Sequence, residues 1–351
     1  MVKVLSPNHK QEWLRILKKF EKKDASFIPE YAELYEINGD GKAQCFVYEE
    51  NGDYVLYVFM KRKINDLPFM NSETVESFDI ITPYGYGGPL CSSSDSGIKK
   101  NLMKGFFTSF NEYCREENII TEFIRFHPLL KTHEGCEQYL NVIKSCDNIY
   151  LDLTKSEEDI WWGFKSPRRR AIKKAKRNNS TVFHAENFEH FDKFVELYHQ
   201  TMERVNADSY FFFSEEYYAF LNDKLRDNFE LFFTKANGEI IAGVLFLCYG
   251  DYIHSYLGGA IEDSFSLRPN DLLYYEVALW AKKKGYKYLH FGGGEGGVYK
   301  FKQGFSKDTA EYFIGKLIRN KPIYQRICEK WNKYYPDKTK EDISFFPLYR
   351  A

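Results

Sequence analysis

The chain has 351 residues, 49 Lys+Arg against 50 Asp+Glu (formal net charge −1), 44% hydrophobic and 18% aromatic residues. At roughly 150 residues per domain this predicts two domains with aromatic-rich cores and excludes disordered and fibrous classes. The even charge balance leaves no global field for nucleic acid or an anionic membrane, so any such contact needs a local patch.

Along the first half, Ala43–Tyr48 and Tyr54–Lys61 flank Asn51-Gly52 and predict an antiparallel hairpin. Ser77–Thr82 follows, then the turn-rich Pro83-Tyr-Gly-Tyr-Gly-Gly-Pro89 and a helix with Ile98, Leu102, Phe106, Phe110 and Tyr113 on one face. Ile119–Phe126 reads as a return strand stopped by Pro128. Between the halves, Ser156 and Asp159 form a capping-box signature. A basic helix follows from Pro167, carrying Arg168, Arg169, Arg170, Lys173, Lys174, Lys176 and Arg177. The next helix is predicted to bury Phe188, Phe191, Val195, Tyr198, Met202 and Val205, which leaves Arg204 off the apolar stripe. The second half then repeats the first: a hairpin at Asn237-Gly238, a third strand Tyr252–Leu257, a helix capped by Asn270 and ended by Gly285, and a return strand Tyr286–Phe291. Pro322–Tyr335 reads as a final helix. The shared order predicts a duplicated α+β unit.

The longest strongly apolar stretch, Ile240–Tyr249, is about half the roughly 20 residues a spanning helix needs. With no apolar signal segment at the start, a cytoplasmic location is expected. Seven scattered cysteines without a CxxC pair, and histidines without ligand spacing, point to neither a disulfide framework nor a metal site.

The tract Phe291-Gly-Gly-Gly-Glu-Gly-Gly-Val-Tyr-Lys-Phe-Lys-Gln-Gly-Phe305 is the most informative segment. Its glycines, Gly293 and Gly294 among them, let backbone approach a ligand. It lacks GK[ST] and the dinucleotide glycine spacing. Read as extended, it places Lys300 and Lys302 on one face. A connecting loop is the alternative reading. Glu295, between glycines, is a candidate proton acceptor or an exposed loop residue.

This tract, with Phe301-Lys302-Gln303-Gly304-Phe305, resembles the end of the catalytic domain in the Fem family of peptidoglycan-bridge aminoacyltransferases. Further segments in matching order are Asp79–Pro89, which includes Tyr84 and Tyr86, the basic helix ending Arg170-Ala-Ile-Lys-Lys-Ala-Lys176, Tyr198–Arg204, and Tyr256-Leu-Gly-Gly259. The resemblance spans about residues 30–318. It implies two tandem GNAT-like domains of α+β class (1–148 and 149–318) and a C-terminal helical segment, 319–351, packing back on the first. It also implies acyl transfer to an amine, with Lys302 at the transfer centre and Arg204 and Tyr256 on the acceptor's phosphates. Two departures stand out. The [QR]-x-x-G-x-[GA] loop that binds coenzyme A pyrophosphate reads Ser266-Leu-Arg-Pro-Asn-Asp271 here, and Cys91-Ser-Ser-Ser stands where relatives carry an acidic residue after the bend.

The expectation is a transferase with Lys302 and Glu295 catalytic, and Arg204, Tyr256, Tyr84, Tyr86, Gly293, Gly294, Lys300, Phe301 and Arg170 binding substrate. No tightly bound cofactor or metal is expected. The donor is aminoacyl-tRNA or acyl-CoA and the acceptor a diphosphate-linked glycan or peptidoglycan precursor; the basic helix is a candidate contact for the acceptor's polyphosphate, tRNA or a membrane surface, with an ordinary solvated face as the alternative. The alternatives are an N-acyltransferase using acyl-CoA or acyl carrier protein on an amino sugar, and a non-catalytic module binding an anionic glycan or nucleic acid.

Overall fold

The computed structural model describes residues 1–70, 74–338 and 345–351. In chain order the elements are β1 (Val2–Leu5), α1 (Lys10–Leu17), α2 (Pro29–Ile37), β2 (Lys42–Glu50), β3 (Asp53–Lys63), β4 (Phe78–Ile81), β5 (Leu90–Cys91), α3 (Ser96–Glu116), β6 (Ile119–Arg125) and β7 (Asn141–Asp152). They continue with α4 (Glu157–Gly163), α5 (Ser166–Arg177), β8 (Thr181–His184), α6 (Phe191–Arg204), α7 (Glu215–Lys224), β9 (Phe229–Ala236), β10 (Glu239–Tyr249) and β11 (Tyr252–Ala260). The last are α8 (Pro269–Lys284), β12 (Tyr288–Gly292), α9 (Gly296–Lys302), β13 (Thr309–Ile318) and α10 (Lys321–Tyr334). The chain divides into two compact units, Met1–Ser145 with Tyr312–Ala351, and Cys146–Glu311. The division falls at Tyr312, inside β13. Residues 339–344 of the expected C-terminal segment lie outside the described residues.

Both units contain one strand pattern. In the first, β2, β3 and β4 run antiparallel and α3 leads to β6, which pairs parallel with β4. In the second, β9, β10 and β11 run antiparallel and α8 leads to β12, parallel to β11. Each hairpin turns on an Asn-Gly pair with both residues at positive φ (Asn51 54°, Gly52 87°; Asn237 51°, Gly238 87°), the mirror-image turn that matches strand twist.

The first unit's core sets Leu102, Met103, Phe106, Phe107 and Phe110 of α3 against Phe46, Tyr57 and Phe59. Two buried ion networks flank it. Asp79 holds both Arg62 (2.5 Å) and Arg350 (2.8 Å). Glu122, 1% exposed, pairs with Arg319, whose guanidinium also donates to Asn111 (2.6 Å) and lies 5.1 Å from the Phe110 ring. Ile327, Cys328, Trp331 and Tyr349 close a second cluster with Ile64, Met70 and Ile120.

In the second unit α8 buries Leu272, Leu273, Val277, Ala278 and Ala281 with Phe246, Leu289 and Phe291. Helix α6 buries Phe194, Leu197 and Tyr198, whereas Val205 is 59% exposed. The buried face is therefore rotated from the one predicted, because β11 carries Gly258-Gly259 and admits the α6 backbone itself. A Cβ at Gly259 would lie 2.2 Å from the Leu197 carbonyl oxygen. Two further expectations change. The segment after the glycine tract is helical, and Asn270 is inside α8, whose N-cap is Arg268 in left-handed conformation. No helix of the described residues is long and apolar enough to cross a membrane.

Two stability outcomes follow from this packing. Gly259→Ala lowers the unfolding free energy by about 1–3 kcal/mol through forced separation of α6 and β11, while Gly163→Ala, where nothing lies within 4 Å, changes it little; urea titration reads both. Arg319→Leu strands the Glu122 carboxylate and costs about 3–5 kcal/mol, and adding Glu122→Leu recovers most of that loss in the same assay.

Candidate functional site

The site is built where two neighbouring strands part. β11 and β12 pair at three positions, Tyr252 with Tyr288, Ile253 with Leu289 and His254 with His290. Beyond them β12 stays with β7 as far as Gly292, and β11 stays with β10 as far as Ala260. The β10–β11 register jumps from Leu245–Leu257 to Phe246–Ser255, so Tyr256 is the extra residue of a β-bulge, a device that re-aims side chains. Tyr274 of α8 spans the parting strands from below. Its hydroxyl lies 2.5 Å from Ser255 of β11, and its ring packs on Phe291 of β12 at 5.4 Å and on Phe301 of α9 at 5.8 Å. Burial pushes its phenol pKa up.

On the β12 side, Gly292 (φ 76°) and Gly294 (φ 133°) bend the chain into α9. Gly293 has no room for a side chain, since a Cβ would meet Asn148 Oδ1 at 2.5 Å and Cys146 Sγ at 3.1 Å. At the far end of α9, Lys302 turns back so that its Nζ donates to the Gly293 carbonyl at 2.5 Å. Burial drives its pKa down to about 8, and the Cys146 thiol opposes that fall. The result is a cation near its titration point, held at a backbone bend beside the strand opening. Because α9 is helical, Lys300 and Lys302 point about 200° apart, and Lys300 is exposed. The two lysines do not share a face. Glu295 is the exposed N-cap residue of α9. Phe301 is half-buried against Tyr274, Phe305 and Arg168.

On the β11 side, Arg204 is half-buried rather than solvent-facing. Its Nη1 donates to the Ala260 carbonyl (3.0 Å), its Nη2 to Thr201 Oγ1 (3.4 Å), and Phe265 lies 4.9 Å below it. Thr201 Oγ1 in turn accepts from the Ala260 N–H (3.1 Å). The Tyr256 hydroxyl lies 2.5 Å from that of Tyr217 on α7. Arg204 and Tyr256 therefore both attach to the outgoing half of β11. Arg170 stands on the exposed face of α5, donating to Ser166 (2.9 Å). Tyr217, Tyr274 and Arg168 escaped sequence reading because their partners lie 19 to 133 residues away.

Tyr84 and Tyr86 belong to the first unit. The Tyr84 carbonyl accepts from Tyr31 (2.9 Å), and burial raises its phenol pKa. The Tyr86 ring packs on His127 at 5.6 Å. His127 Nδ1 accepts the Leu130 N–H (3.0 Å), so its proton is on Nε2, facing Asp24 at 2.6 Å. Both ring nitrogens are thus committed to holding the bend.

The start of α8, where coenzyme A-dependent acetyltransferases bind pyrophosphate, does not fit that group. Pro269 removes one N–H at the first position. The buried carboxylate of Asp271 occupies the first turn and is ion-paired to Arg168, while Glu262 and Asp263 line the preceding turn. Internal charge already fills the positive end of this helix.

Comparison with known proteins bears on the fold. Residues 165–303 match the family model described as acetyltransferase (GNAT) domain. No curated protein matches the chain in sequence. Among solved structures, FemX superposes with a TM-score of 0.68 at 16% identity, covering 93% of this chain and 99% of that one. L-PGS from Bacillus licheniformis gives 0.55 at 12% identity over 91% and 95%. The C-terminal domain of a putative lysylphosphatidylglycerol synthetase from Agrobacterium fabrum gives 0.54 at 12% over 90% and 93%. Residues 165–303, which carry Arg168, Arg204, Tyr256 and Lys302, are thus the part of the chain similar to an acetyltransferase (GNAT) domain, and the chain as a whole shares the fold of FemX.

Proposed function

We propose that this chain transfers an aminoacyl group from aminoacyl-tRNA to an amine of a diphosphate-linked cell-envelope precursor. The observation that carries this reading is the Lys302 ammonium, bonded to the Gly293 carbonyl where β11 and β12 part and drawn down to a pKa of about 8 by burial. Attack of the amine on the ester carbonyl builds negative charge on oxygen; a fixed cation in a poorly hydrated site lowers that barrier. The C–N bond forms as the C–O bond to the ribose breaks, and the proton lost by the amine is balanced by the one gained by the leaving hydroxyl. Lys302 supplies the positive charge and, with its pKa of about 8, a proton donor to the leaving hydroxyl that is recharged by the proton the amine releases. Arg204, with its planar fork, and Tyr256 are assigned to the acceptor's phosphates. The filled N-terminus of α8 supports an ester of tRNA over coenzyme A as donor.

Mass spectrometry of amine-bearing precursors incubated with the chain and either charged tRNA or acyl-CoA tests the assignment. A mass gain with charged tRNA alone is expected. A gain with acyl-CoA alone moves the reading to an N-acyltransferase, and binding without a gain from either donor makes the chain a binding module.

Lys302→Met retains the fold and lowers kcat by about 10²- to 10³-fold, read by single-turnover transfer. The pH profile has a defined sign. Lys302 is protonated below its pKa of about 8, so kcat/KM falls as the pH rises through 8. That descending limb is absent from the residual activity of Lys302→Met, whereas a limb from the acceptor amine persists in both.

A further inference from the structure

Arg168 lies in the first turn of α5 and is enclosed by three elements of the second unit. Its Nη1 is ion-paired to Asp271 of α8, and its Nη2 donates to the carbonyl of Phe301 at 2.9 Å. The guanidinium lies between two rings, 4.1 Å from the centre of Phe301 and 4.6 Å from that of Phe305. Gly304 closes the remaining side, since a Cβ there would lie 2.6 Å from Arg168 Nε. That Nε is buried and has no acceptor among the described residues. A buried, incompletely satisfied cation is weak as a source of stability, and apolar residues of similar volume often replace such a pair without loss. What this arrangement supplies is register. Apart from Asp271 on α8, its contacts grip the last turn of α9 and the Gly304-Phe305 turn just after it, where the exposed carbonyls favour a cation, and the residue after Phe301 is Lys302.

We propose that Arg168, oriented by Asp271, is a positioning residue: it fixes the Phe301–Phe305 turn so that the Lys302 ammonium is held on the Gly293 carbonyl at the opening between β11 and β12. The role requires arginine. One planar group must meet a carboxylate, a carbonyl and two ring faces together, whereas a lysine's three donors radiate from one compact ammonium that offers no flat face to the rings and no fixed fork to the two polar partners. The α8 turn that would otherwise present N–H groups to a diphosphate supplies instead the anchor for this clamp. The inference rests on the assignment of Lys302 in the proposed function, and its test reads Lys302 without turnover.

The experiment is site-resolved titration of the lysine ammonium groups in the full chain, by pH-dependent amine labelling with peptide mass spectrometry. It compares the wild type with Arg168→Lys, Asp271→Asn and the double variant Arg168→Met/Asp271→Leu, whose apolar replacement preserves packing. In the wild type Lys302 titrates well below the other lysines. In Arg168→Lys and in the double variant its midpoint rises by one pH unit or more as the turn loosens and water reaches Nζ, while the melting temperature of the double variant stays within a few degrees. Where transfer is measurable, kcat falls about tenfold with KM nearly unchanged, and Asp271→Asn gives an intermediate effect. An unmoved Lys302 midpoint in the folded variants overturns the proposal. If no donor supports transfer by the wild type, the reaction assignment fails while the labelling result still decides the clamp.

Discussion

A lysine taken out of water keeps its proton only if acceptors replace the lost hydration, and for Lys302 the structure supplies one: the carbonyl of Gly293. Burial makes the ammonium a stronger acid and draws its pKa down to about 8, while the Gly293 bond fixes where it sits. The surrounding arrangement serves to make that single bond possible. The glycine at 293 lets the turn press against Asn148 and Cys146. The short helix α9 brings residue 302 back to where the chain left the sheet. Tyr274 ties both parting strands to the same helix through its hydroxyl and its ring.

The two units show one topology put to different use. In each, a three-stranded meander, a helix and a parallel return strand recur. In the first unit the corresponding bend is locked: Thr132 Oγ1 donates to the Gly87 carbonyl at 2.5 Å, and His127 spends both nitrogens on Leu130 and Asp24. A buried histidine–carboxylate pair resembles a catalytic dyad in composition, but a ring whose second nitrogen accepts a backbone N–H has no lone pair left for a substrate proton. In the second unit the equivalent strands part and a titratable amine stands beside the gap, which is why the proposed chemistry is placed there.

Much of the local order was legible in the sequence, because it depends on neighbours in the chain. The Asn-Gly turns at 51–52 and 237–238 take the conformation their residues favour, and Ser156 accepts the Asp159 N–H at 3.0 Å. Helix α9 was hidden because Gly296 and Gly297 are poor helix formers; its last turn is held from outside, through Arg168. The rotation of α6 was hidden for a related reason. Its buried face is chosen by a flat Gly258-Gly259 surface on β11 rather than by its own apolar stripe, and Arg204 is carried inward with it. The bulge at Tyr256 interrupts the in–out alternation of a regular strand over Tyr252–Leu257, and no local pattern announces it.

The donor question turns on what occupies the positive end of α8. A helix N-terminus attracts an anion because its first N–H groups lack partners. Here Pro269 deletes one of them, and Asp271 brings a carboxylate into the first turn, neutralised by Arg168. A diphosphate placed there would meet a buried negative charge and would have to compete with it for Arg168, loosening the turn that carries Lys302. A donor whose phosphates lie away from its reacting ester avoids that conflict. On the proposed reading, the same ion pair that positions Lys302 disfavours coenzyme A, which links the choice of donor to the geometry of the proposed transfer centre.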